Sequence, residues 1–304
     1  MNRHLPFLVC LLWMSVISQA AEPAKSIALT DYAKDHPIPV YTVTKGATFP
    51  LEHGDQTNNL ADGDKVILLS EKDLTSLEGI SRLRVLDNGR ETTVAEVPKL
   101  QLFLNSNHLR ELPAEFFTLQ NVTFVYLNKN KFDAIPADIA RMRGLLGMYF
   151  TGNNISTIPP EVFTMAQLKK LQVSSNHLTE VPVAIGKLTK LMHLNLSDNA
   201  IATLPDSIAQ LTKLRVCDFS GNKIRQIPED FGKVPIMHQL RVGNNPLNHL
   251  PEGFAEMPGT IDITDTQISL DSLSPTLRAK ISREKHSSKE SLVKRPDGTS
   301  CGGK

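Results

Sequence analysis

Cysteine is scarce in this chain: Cys10, Cys217 and Cys301 are the three in 304 residues, too few and too far apart for a disulfide framework, so any core must hold by packing. Aromatic residues make up 6% and include a single tryptophan. The formal net charge is +1 and gives no support to a nucleic-acid partner. No apolar run is long enough to span a membrane comfortably. HExxH, a complete phosphate loop and CxxC are all missing, so the chain is read as a non-enzyme with no cofactor. His193 and His238 lie near Asp198 and Asp218, but such spacing recurs by accident in a polar sheet, and no metal is expected there.

What the chain does have is one phrase written seven times. Asn107, Asn130, Asn153, Asn176, Asn199, Asn222 and Asn245 fall 23 residues apart, and six residues after each stands a proline, from Pro113 to Pro251. Apolar residues keep step, as in Leu191, Leu194, Leu196, Ile201, Leu204, Ile208 and Leu211. Leu194 and Leu196 alternate with Asn195, the mark of a short strand with one buried and one wet face. The proline fixes φ and starts the return segment. One such unit cannot bury its apolar side alone, so neighbours must stack.

This pattern resembles the leucine-rich repeat family, in its form with a short strand followed by an LPxxI turn. The resemblance covers residues 66 to 270 and implies an α/β class fold: a curved solenoid with a parallel β-sheet on its concave side and short irregular or helical segments on its convex side. It also implies that the ladder asparagine sits where the chain leaves the strand and satisfies buried backbone groups.

The ends read differently. Residues 1–20 have a basic start, an apolar run from Leu5 to Ile17 and the small-residue ending Ser18-Gln19-Ala20, the features of a secretory signal peptide cleaved after Ala20. Export to a bacterial periplasm or beyond is expected, since paired cysteines do not flank the array as they do in secreted animal and plant members. Residues 21–65 are read as an N-terminal cap over the first exposed edge. Residues 66–98 hold irregular first repeats: Val66 to Leu77 fits the template without its proline, and Leu83 to Leu86 (LRVL) matches Leu214 to Cys217 (LRVC), so a second repeat is expected with an insertion around Asp87-Asn88-Gly89. The regular repeats run over 99–270, the last closing with Thr266 in place of asparagine. Ser274-Pro275 predicts a capping helix within 271–285. The polar stretch 286–304 is expected to be disordered, and from Arg278 onward it carries eight Lys or Arg against three Asp or Glu. Such a basic tail could touch anionic membrane headgroups, although most are merely solvated.

Because the leucines are buried, binding must use the outward residues of the concave strands. One outward column reads Phe103, Tyr126, Tyr149, Gln172, Asn195, Asp218, Arg241 and Asp262; the column two residues earlier reads Gln101, Phe124, Gly147, Lys170, His193, Val216, Gln239 and Thr260. The cluster Phe103, Phe124, Tyr126 and Tyr149 suits a binding hot spot for a protein or peptide, or a stacking face for an envelope glycan such as peptidoglycan or lipopolysaccharide. The other use is internal, with the N-terminal segment or the insertion folded over it. Lys170, His193, Asp218, Arg241 and Asp262 form a mixed-charge strip, either a solvated face or a polar rim for the same partner. A purely structural envelope role is a third reading of the chain.

Overall fold

The computed structural model describes residues 27–43, 61 and 63–282. The expected signal peptide, the tail 286–304, Cys10 and Cys301 lie outside the described residues.

Eight short strands carry the array: β7 (Leu100–Phe103), β8 (Val122–Tyr126), β9 (Gly147–Tyr149), β10 (Lys170–Gln172), β11 (His193–Asn195), β12 (Val216–Asp218), β13 (Gln239–Arg241) and β14 (Thr260–Asp262). Each pairs with the next in parallel, in chain order. The register repeats the sequence period, so that Leu171, Leu194, Cys217, Leu240 and Ile261 fall in one line, all buried. One continuous apolar core runs behind the sheet from Leu29 to Leu277. This is the leucine-rich repeat solenoid that the resemblance implies.

The asparagine ladder ties one repeat to the next. Asn222 donates through Nδ2 to the carbonyl of Leu196 in the preceding repeat at 2.9 Å and to Phe219 in its own at 2.9 Å, while its Oδ1 accepts the amide of Ile201 at 3.0 Å. Asn130, Asn153 and Asn245 repeat this scheme on their own neighbours. The residue just before each ladder position turns the chain with a left-handed backbone: Ser106, Lys129, Gly152, Ser175, Asp198, Gly221, Asn244 and Asp265 all have φ between 52 and 71°. Each proline then precedes a five-residue 3-10 turn, as at Pro205 before Asp206–Gln210, whose Ile208 closes the core from the convex side.

The N-terminal end is built otherwise. β1 (Ile27–Ala28) leads into α1 (Leu29–Asp35) and β2 (Pro39–Thr42); β1 pairs with β4 (Leu74–Ser76). β2 runs antiparallel to β3 (Lys65–Leu68) and parallel to β5 (Arg84–Asp87), which forms a hairpin with β6 (Arg90–Thr93). Asn88 and Gly89 both have positive φ, 52° and 77°, the geometry a two-residue hairpin turn demands. Lys65 Nζ reaches Asp87 Oδ1 at 2.7 Å and Thr42 Oγ1 at 2.8 Å, joining β3, β5 and β2.

Here the structure departs from one expectation. The LRVL strand does not enter the ladder as a second repeat; β7 lies directly beside β3, and β5 sits beyond β2. The hairpin supplies the reason: β6 takes one edge of β5, and Glu91 occupies the place where a ladder asparagine would have turned the chain onto the convex side.

The C-terminal helix is shorter than expected. α2 (Pro275–Ala279) starts with Pro275 at its first turn and Ser274 Oγ accepting from the Leu277 amide, and it stops because the chain turns to cover the last strand. Ile281 bridges Ile261 of β14: the Ile261 amide donates to Lys280 O and the Ser282 amide to Ile261 O, each at 2.8 Å.

Candidate functional site on the concave sheet

The outward side chains of the first strands build a second apolar cluster rather than an open patch. Phe103 stacks on Tyr126 at 4.0 Å between ring centroids and Tyr126 on Tyr149 at 4.5 Å, with planes 12° and 17° apart. Val43, the residue after β2, and Val66 pack with them, and Leu68 and Phe124 lie against the cluster. Phe103, Tyr126 and Tyr149 are 1%, 0% and 2% exposed. Gly147 makes room for Phe124, whose ring would lie 2.5 Å from any Cβ there. The Tyr126 hydroxyl donates to Gln101 Oε1, and Gln101 Nε2 donates to Asp64 Oδ2 at 2.7 Å. Three of the four aromatics that could have met a ligand are therefore core residues of this face, and only Phe124 keeps a half-buried edge.

From β10 onward the outward column is polar, and much of it is engaged locally. Asn195 Oδ1 accepts the amide and hydroxyl of Ser197 at 3.0 and 2.9 Å; Asp218 Oδ1 does the same with Ser220 at 3.0 and 2.6 Å, and Asp262 with Thr264 at 2.9 and 2.6 Å. These side chains end their strands by closing a turn, which buries Asp218 and Asp262. The local sequence signal of this turn is Asn or Asp followed two residues later by Ser or Thr. Arg241 approaches Asp218 Oδ2 at 3.6 Å. Sequence reasoning also missed a second polar chain at the strand ends, where Asn105 Oδ1 accepts the Asn128 amide and Asn128 Oδ1 accepts the Thr151 amide.

Lys170, Gln172, His193, Asn195, Val216, Gln239 and Arg241 remain half-buried along the open part of the sheet. Burial lowers the Lys170 pKa. Burial, followed by the positive charges of Lys170, Arg215 and His238, pulls His193 down to about 4, so its ring is neutral at pH 7. At the opposite end of the strands, burial and then the Asp218 charge raise Asp198. Burial also raises the Cys217 thiol well above its ordinary value, which keeps it an inert core group. Among the described residues, no three His, Cys, Asp or Glu side chains gather to hold a metal. No described helix is long and apolar enough to cross a membrane.

Comparison with known proteins agrees with this architecture. The leucine rich repeat family model matches residues 143–201 and 166–224. Similar solved structures include a leucine-rich repeat protein of Leptospira interrogans, with 21% identity over 69% of this chain and 57% of that one, at a TM-score of 0.54. Two internalins of Listeria monocytogenes follow: InlF, 18% identical over 69% of this chain and 57% of that one, TM-score 0.56, and internalin C2, 19% identical over 64% of this chain and 80% of that one, TM-score 0.54. The matched region thus spans little more than half the length of the Leptospira protein and of InlF. No curated protein matches. With its 23-residue phrase, its buried leucine lines and its asparagine ladder, the chain is a leucine-rich repeat protein.

Proposed function

We propose that this protein is an exported, non-catalytic binding module that takes a protein or peptide ligand on the concave sheet between β10 and β13. The observation that carries this reading is the row of half-buried polar side chains there, Lys170, Gln172, His193, Gln239 and Arg241, on a backbone held rigid by the asparagine ladder. Leucine-rich repeat folds generally mediate protein–protein binding, and a preorganised sheet lowers the ordering cost of docking. The aromatic rings on which a glycan could have stacked pack against one another instead, which favours a protein ligand over an envelope glycan. Export rests on the basic, apolar and small-residue order of residues 1–20.

The test places a photo-crosslinking residue at Gln239 on the concave sheet or at Val183, which is 73% exposed on the convex side, in cells producing the full chain. Covalent capture of a protein from position 239 and not from 183 supports the reading; capture from 183 alone overturns it. Mass spectrometry of the recovered protein should find an N-terminus at Ala21.

A further inference from the structure

The strand-start rim of the concave sheet is basic over four consecutive repeats. Lys169 precedes β10 and Lys170 begins it, His193 begins β11, Lys213 and Arg215 precede β12, and His238 precedes β13. Residues 166–175, 188–197, 211–217 and 234–247 contain no aspartate or glutamate. Backbone bonds bring these residues side by side. Lys170 and His193 are register partners, the Arg215 amide donates to Met192 O at 2.8 Å, and the His238 amide donates to Arg215 O at 2.9 Å. Lys169, Arg215 and His238 are exposed, and Met237 beside them is 52% exposed. The acidic groups of the face, Asp198, Asp218 and Asp262, stand at the other end of the strands, two of them bound into their own turns.

We propose that this rim docks an acidic segment of a partner protein, laid in extended form across the strand starts from β10 to β13 with its carboxylates against Lys170, Arg215 and His238. The inference rests on the concave sheet being the ligand surface and adds the chemistry of the ligand. Strands lie about 4.8 Å apart, so the rim from β10 to β13 spans roughly 14 Å. About five residues of extended chain, four rises of about 3.4 Å, cover that distance. Alternate side chains of such a segment face the same way, so acidic residues at every second position meet the rim while Val216 and Met237 offer apolar contact between the cations. Side chains of one sign set side by side gain from anions laid along them, and the field of the rim steers such a segment to it.

Docking has a built-in reporter. His193 is faced by Lys170 and Gln172 from β10, by Arg215, Val216 and Asp218 from β12 and its approach, and by His238 from the approach to β13. A carboxylate arriving among these groups favours the imidazolium and raises the His193 pKa.

The experiment uses the full chain and a fluorescein-labelled octapeptide of alternating Glu and Ser, with the matching Gln-Ser and Lys-Ser peptides as controls, read by fluorescence anisotropy in low salt. The Glu-Ser peptide alone should bind, and Arg215→Glu with His238→Glu should weaken it by about tenfold or more. Neutral Arg215→Gln is the milder companion, and circular dichroism melting verifies that each variant folds. In the complex, the His193 ring proton followed by NMR should titrate about one pH unit or more higher than in the unbound protein. No binding at about 1 mM peptide, undiminished binding by the charge-reversed variant, or displacement of the peptide by polygalacturonate at lower concentration overturns the proposal. If Gln239 still captures a protein while the peptide does not bind, the acidic chemistry falls and the concave reading stands; capture from Val183 alone removes the concave reading itself.

Discussion

The Tyr126 hydroxyl donates to Gln101 Oε1 at 2.9 Å, across the two strands β8 and β7, at the centre of an apolar cluster on the face of the sheet where solvent would be expected. Both residues are fully buried, so the bond is made without competing water. Tyr126→Phe keeps the stacked ring and leaves the Gln101 acceptor short of one donor, which should cost about 1–2 kcal/mol. Tyr126→Ala also opens the stack and should cost about 3–5 kcal/mol. Urea midpoints of the two variants check the order; equal losses would mean that the ring contributes nothing beyond its hydroxyl.

The ladder makes a sharper prediction. Asn222→Ala strands the buried Ile201 amide, whose acceptor is Asn222 Oδ1, and takes one of two donors from Leu196 O, which keeps Asn199, and from Phe219 O, which keeps Asn245. The stranded amide should cost about 1–3 kcal/mol, with the two weakened carbonyls adding to it. Thr266→Ala, at the matching place of the closing repeat, removes one hydroxyl bond to Ile263 O and should cost about 1 kcal/mol. Denaturant titration of both compares a linked repeat with a terminal one.

Left-handed positions before the ladder predict opposite signs for two glycine exchanges. Gly221 has φ 65°, and a Cβ there would stand 2.3 Å from Asp198 Oδ1 and 3.3 Å from the Asp198 Cα, so Gly221→Ala combines backbone strain with a clash. It should destabilise by more than about 1 kcal/mol. Lys129→Gly, at φ 52°, relieves the same strain and should be neutral or stabilising by up to about 1 kcal/mol. A lower melting temperature for Lys129→Gly than for the parent protein would contradict the argument.

Stability should fall as pH drops below neutrality through His193. Its folded value of about 4 lies below its ordinary 6.5, so between these values the unfolded chain binds the proton more readily than the folded one. The penalty is absent above pH 6.5, grows as pH falls, and is complete near pH 4. His193→Gln cannot take up that proton and should show a flatter stability profile over this window. A parent and variant with parallel profiles would show that the ring is not held neutral.

Much of the architecture is legible in the sequence because a repeat states its own periods: the Asn-to-Asn spacing fixes strand register, and the leucines fix which side is buried. Register does not tell what lies above the other side. Phe103, Tyr126 and Tyr149 point outward from the leucine core, yet they are buried because they pack on one another and on Val43, a residue 60 positions before Phe103 in a segment with no motif. The roles of Asp218 and Asp262 were written locally, in the Ser or Thr two residues on, and a strip read as mixed charge is in part a row of strand terminators. LRVL misleads for the opposite reason. Four residues that match a repeat strand do not carry the asparagine that would stitch it into the ladder, and the Asn88-Gly89 turn sends the chain back at once.

The bridge between Ile281 and Ile261 governs how copies of this protein can meet. A strand with its amides and carbonyls bare is a template on which another chain can grow, and here Lys280 and Ser282 occupy both bonding groups of Ile261. The solenoid is therefore stoppered at β14: raising the concentration gives molecules no splice point there, and end-to-end fibres cannot propagate through that face. Severing the stopper would change a discrete particle into a monomer unit with an open growing end.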